Sequence, residues 1–141
     1  MKPTLFLRIA SLLTLLHSAA HTFNVVFGAP PPGAGEVAVA AMKANRFLVM
    51  GVTRSYWDFL MGLNLATTIS LTIEAIVFWQ LGTLAKTDSF RLRPIYAAFM
   101  VGYLLMSVVT GTYIFAPPMI GEILIALCFG MAIYTSKPVT A

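Results

Sequence analysis

Four long apolar runs, each closed by prolines or charges, occupy residues 5–27, 56–85, 95–115 and 119–135. About 20 predominantly apolar residues in α-helix cross the ~30 Å hydrocarbon layer of a bilayer. The first three runs meet that length, and the fourth, about 17 residues, stands at its lower limit. The chain has only 141 residues, 59% hydrophobic and 10% charged, whereas an ordinary soluble domain is about 25% charged. One modest core could not hide so much apolar surface, so acyl chains must solvate the remainder. The expected fold is all-α: a polytopic membrane protein, a four-transmembrane-helix bundle forming one domain over residues 1–141, with a short interfacial helix in the first loop.

The breaks between runs are chemically explicit. Gly28-Ala29-Pro30-Pro31-Pro32-Gly33 removes backbone donors and fixes φ, so a helix cannot continue through it. Lys86-Thr87-Asp88-Ser89-Phe90-Arg91-Leu92-Arg93-Pro94 reads as a polar hairpin, Ala116-Pro117-Pro118 as a tight reversal, and Ser136-Lys137-Pro138 as a final stop. Between the first two spans, Val37, Met42 and Phe47 alternate with Glu36, Lys43, Asn45 and Arg46, which suits a short helix lying on the interface. Tyr56-Trp57 and Trp79 near the two ends of the second run fit aromatic belts at headgroup level. Lys2, the first apolar run and Ser18-Ala19-Ala20 also imitate a signal peptide. Arg8 interrupts that run and its apolar character continues past the would-be cut, which favours a membrane helix.

The net charge of +4 comes from basic residues scattered between the apolar runs. They form no patch interleaved with exposed aromatics, so nucleic acid is not an expected partner. Lys2, Arg8, Lys86, Arg91, Arg93 and Lys137 fall on one side of a four-span topology, and Lys43, Arg46 and Arg54 on the other. The positive-inside rule then places both termini in the cytoplasm. Cys128 is the one cysteine, which excludes an intrachain disulfide.

Few residues could carry chemistry. His17 and His21 are four apart on the first span and Asn24 follows by three, so they share a helical stripe with Thr14. Asp58 and Glu74 on the second span are on nearly opposite faces and roughly 24 Å apart along the axis, too far to act as one acid/base pair. Glu74 lies deep in its span with no basic residue within a turn, so it is either protonated or partnered on another helix. Tyr103, Ser107 and Thr110 make a stripe on the third span, and Glu122 follows Pro117-Pro118 on the fourth. The topology puts His21, Asn24, Asp58, Tyr113 and Glu122 in the outer half of the membrane, where a convergent cluster could hold a divalent metal, ligate haem or chlorin through His17 or His21, or place an acid and a base beside a lipid. The competing reading makes each a structural hydrogen bond between helices, of roughly 1 kcal/mol. HxxxH without the glutamate of the zinc-protease signature excludes that class: Ser18-Ala19-Ala20 intervene.

His21-Thr22-Phe23, Ser55-Tyr56-Trp57-Asp58-Phe59 and Gly62-Leu63 resemble a family of small, uncharacterised bacterial four-helix membrane proteins. The resemblance extends over most of the chain. It implies a four-helix architecture in a bacterial inner membrane and draws attention to His21, Tyr56, Trp57 and Asp58 without giving them roles. A fainter similarity is to four-helix families that bind or isomerise sterol-like ligands, and it transfers no residue. No complete catalytic constellation is present, and Gly102, Gly111, Gly121 and Ala126 permit close helix approach. The leading expectation is therefore a non-catalytic accessory subunit or assembly factor that packs, within the lipid bilayer, against other membrane proteins. The alternative is a lipid-, isoprenoid- or cofactor-binding protein or small enzyme using the His/carboxylate cluster, with a proton-linked channel or transporter built on Glu74 as a third class.

Overall fold

The computed structural model describes residues 2–138. In chain order the elements are α1 (Pro3–Phe27), α2 (Ala34–Ala44), β1 (Arg46–Val49), β2 (Val52–Ser55), α3 (Tyr56–Asp88), α4 (Arg93–Tyr113) and α5 (Ala116–Thr135). Helices α1, α3, α4 and α5 are each long and apolar enough to cross a membrane.

Proline sets most of the boundaries. Pro3 opens α1, and α4 and α5 each carry proline in their first two positions, where the missing N–H has no intrahelical partner to lose. This corrects the expected start of the fourth span. Pro117 and Pro118 begin the helix instead of holding it off, so α5 has 20 residues and reaches full crossing length. The turn before it is only Ile114-Phe115, with Phe115 fully extended at φ −168°, and α4 and α5 pack closely along each other. Gly28 closes α1: a Cβ there would stand 2.2 Å from the Asn24 carbonyl oxygen.

Contacts divide the chain into two units. The first takes the residues up to Ser18 and those from Leu71 onward, and so contains the first part of α1, the last part of α3, and α4 and α5. Leu7, Ala10, Phe78, Tyr96, Ile125 and Phe129 are its buried centre. Phe78 meets both Phe99 and Phe129 edge-on at 80°, with ring centroids 4.8 and 4.7 Å apart, the arrangement aromatic quadrupoles prefer. In lipid the transfer of apolar area from water is not the driving force between helices, so cohesion rests on such close contacts.

The second unit, Ala19–Ser70, holds the rest of α1, the first loop and the first part of α3. The loop contains a helix, as its amphipathic pattern predicts, but only as far as Ala44, and it is followed by a two-stranded antiparallel hairpin. The hairpin was not legible as such because its register, Val49 opposite Val52, leaves Met50-Gly51 as the two-residue turn where Asn-Gly or Asp-Gly is the usual signal. Phe47 anchors the hairpin to α3, its ring centroid 4.8 Å from Tyr56 and 5.9 Å from Phe59.

Phe78→Ala removes the ring shared by three aromatic contacts and leaves a cavity, for an expected loss of about 3 kcal/mol in detergent or bicelle unfolding. Phe78→Leu, which refills most of the space, should lose about half of that.

Candidate functional site

The interior of the first unit is apolar at its centre and polar along one seam. On α1, Ser11, Thr14 and Ser18 are buried at helical spacing. Ser11 donates to the Ala75 carbonyl at 2.7 Å, Thr14 to the Ala10 carbonyl at 2.9 Å, and the Ser18 and Thr72 hydroxyls are 2.9 Å apart. On α4 the buried stripe is Tyr96, Tyr103, Ser107 and Thr110. It provides the two contacts that bring the acidic residues in: Tyr103 donates its phenol proton to Glu74 Oε2 at 2.5 Å, and Thr110 donates to Glu122 Oε1 at 2.9 Å. Glu74 thus meets one of the two alternatives its position set, a partner on another helix.

Glu122 is the most constrained of these groups. It is 2% exposed, and among the described residues its Oε2 has no hydrogen-bond partner. The one ion pair among the described residues is Arg91–Asp88, near the end of α3. Arg8, the cation carried within α1, is occupied elsewhere, with its guanidinium 3.4 Å over Trp79 and 2.8 Å from the Thr83 hydroxyl. A buried carboxylate with one hydrogen bond and no cation costs several kcal/mol relative to the neutral acid. Glu122 Oε1 accepts from Thr110 while Oε2 is left without a partner among the described residues. Chemically the seam offers a buried carboxyl group and a row of hydroxyls.

Of the remaining candidates His21, Asn24 and Asp58 occur in the second unit, each with a different local partner. His21 Nδ1 is 3.1 Å from the Thr68 hydroxyl, which also receives the Thr22 hydroxyl at 3.2 Å. Asn24 donates back to the Ala20 carbonyl at 2.9 Å. Asp58 Oδ2 accepts from the Ser55 amide at 2.8 Å while the Asp58 amide donates to Ser55 Oγ at 3.2 Å, a reciprocal capping box at the head of α3. His17 is partly buried in the first unit. Among the described residues no group of three His, Cys, Asp or Glu side chains is placed to hold a metal ion. An open depression of about 290 Å³ runs along Arg54, Asp58, Phe59, Gly62 and Leu63, and another of about 390 Å³ along Phe90, Arg93, Pro94, Ala97 and Ile133.

Two partners were missed in the sequence. Ser55 had a signal, since Ser-x-x-Asp before an apolar run is a capping-box spacing. Thr68 had none, because its role depends on where α1 meets α3. These features define a class, a polytopic helical membrane protein with an internal polar seam. No protein-family model matches the chain, and neither a curated protein nor a solved structure matches it.

Infrared spectroscopy in lipid at neutral pH should show a protonated-carboxyl C=O band that Glu122→Gln removes. The same substitution keeps Thr110's acceptor and should change stability by less than about 1 kcal/mol. A band unaffected by Glu122→Gln would show that the group is ionised. Tyr103→Phe deprives Glu74 of its donor and should cost about 1 kcal/mol, a cost that a double-mutant cycle with Glu74→Gln should show to be shared.

Proposed function

We propose that this chain is a small accessory or assembly protein of a larger membrane complex, acting by packing its helices against other membrane proteins. The observation that carries the reading is a stripe of small residues on α3. Gly62, Ala66 and Ser70 recur every fourth position, so they share one helix face, and all three are exposed. A Cβ built on Gly62 meets nothing within 4 Å. Small-xxx-small faces let two helix backbones approach closely, which is how helices associate where lipid removes the hydrophobic drive. Only 11% of the most apolar stretch of α3 is buried, against 33% for α5, so α3 is the least covered of the four long helices.

Two small residues of α4 and α5 are taken up inside the first unit: Ala126 is buried, and a Cβ on Gly111 would strike the Met119 sulfur at 2.5 Å. Gly102 and Gly121, like Gly62, have open space where a Cβ would stand. The polar groups point the same way, since Asp58 caps its helix and Glu74, His21 and Asn24 hydrogen-bond within the chain. In this reading α2, which has no buried residue, lies on the interface, both termini are cytoplasmic, and the membrane is a bacterial inner membrane.

One observation favours a second reading, a binder of a lipid or isoprenoid. The Oε2 of Glu122 is buried with no partner among the described residues, and the hydroxyl or amine head of an apolar ligand would satisfy it.

Purification from native membranes in mild detergent should yield a complex larger than one chain, containing a second protein. Gly62→Leu, which fills open space and leaves the chain's own contacts intact, should release that partner. Elution of the unaltered chain alone as a monomer would overturn the accessory reading, and lipid extracted stoichiometrically from such a monomer would favour the second. Reporter fusions at both termini should give cytoplasmic signals; an external C-terminus would overturn the orientation.

A further inference from the structure

The hairpin of the second unit breaks a local conformational rule without a compensating contact inside the chain. Its turn residues, Met50 and Gly51, have φ of 47° and 84°, and both central residues of such a turn need positive φ. Glycine takes that conformation freely, and asparagine and aspartate take it tolerably, while a long unbranched side chain is disfavoured there. Met50 is nevertheless the residue present, and it is 99% exposed. Leu48 and Val52 beside it are 73% and 46% exposed. A strained apolar residue at an exposed tip points to something outside the chain that receives it.

The charges around the tip identify the receiver. Arg46 and Arg54 lie toward the open end of the hairpin, where Arg46 pairs with Ser55 and Arg54 with Phe47. Neither makes an ion pair among the described residues. Lys43 lies 4.7 Å over the Trp57 ring. Between α1 and α3 the sequence supplies these three cations and one acid, Glu36, and Asp58 in the first turn of α3, within electrostatic reach of Arg46 and Arg54, leaves the cations in excess. Apolar side chains at the tip with guanidinium groups behind them match the layering of a lipid interface, acyl boundary first and phosphate next. The location agrees, because β2 ends at Ser55 and the membrane-length helix α3 begins at Tyr56. A four-residue strand reaches only about 13 Å from that point.

We propose that the hairpin is a lipid-contact element. Met50, with Leu48 and Val52, enters the acyl boundary, and Arg46 and Arg54 bind the phosphates of anionic lipid headgroups. The proposal goes beyond the accessory role and rests on the membrane reading of the four long helices. The two strands stay at headgroup depth because their unpaired edge N–H and C=O groups need water or phosphate as partners. Arginine suits the task, since its planar donors pair with phosphate in bidentate fashion.

The test is depth measurement on the full chain in phosphatidylcholine vesicles with and without phosphatidylglycerol. In a Cys128→Ser background, a nitroxide is attached at Met50→Cys and, as a water-facing control, at Glu36→Cys. The expected result is an oxygen-to-nickel-chelate collision ratio several-fold higher at position 50 than at position 36. The ratio should fall when phosphatidylglycerol is omitted or when Arg46→Gln and Arg54→Gln are introduced. Equal ratios at the two positions would place the tip in water and overturn the proposal. Shielding of position 50 from both reagents would mean that protein covers the tip, which also overturns it, as would insertion indifferent to anionic lipid. Failure of the chain to enter vesicles at all would overturn the membrane reading and this inference with it.

Discussion

Backbone N–H and C=O groups dissolved among acyl chains have no water to turn to, and each one left unpaired costs several kcal/mol. Every other feature of the chain is arranged around that constraint. The four long apolar segments are continuous helices, each satisfying its own backbone. Their prolines are confined to first turns and to the connections, where a missing donor costs nothing. Among the described residues strand structure occurs only in the loop between α1 and α3, as a hairpin whose open edges require a polar medium.

The same scarcity of partners governs the side chains. A hydroxyl on a membrane helix can donate to a carbonyl one turn back, as Thr14, Thr67, Thr112 and Thr135 do, and the Asn24 amide does the same. A carboxylate has no such local option and needs a donor from another element. Glu74 obtains one from Tyr103 and Glu122 obtains one from Thr110, so the α4 stripe organises both acids. Glu122 keeps one oxygen without a partner among the described residues, the one place in the seam where the supply of donors falls short.

Local and global preferences agree along most of the chain and part company in two places. On α3 the small exposed residues Gly62, Ala66 and Ser70 give up packing area that larger side chains would provide. At the hairpin, Met50 occupies a backbone conformation that suits asparagine or glycine better. Such departures are what sites of interaction look like before the partner is in place. One suits a helix backbone and the other suits a lipid interface.

The number and approximate limits of the helices long and apolar enough to cross a bilayer were legible in the sequence alone, because bilayer thickness and backbone hydrogen bonding translate directly into a run length. The stripe Tyr103, Ser107, Thr110 and the need of Glu74 for a partner were also readable, since 3.6-residue periodicity and the cost of a buried charge act within one segment. Tertiary structure decided the pairings. Which hydroxyl meets Glu122, that Thr68 and not a carboxylate faces His21, and that Asp58 caps α3 all depend on distances between segments, which periodicity does not encode. It also decided the hairpin, because Met-Gly carries almost no turn signal and the conformation is held by pairing between strands and by Phe47 against α3.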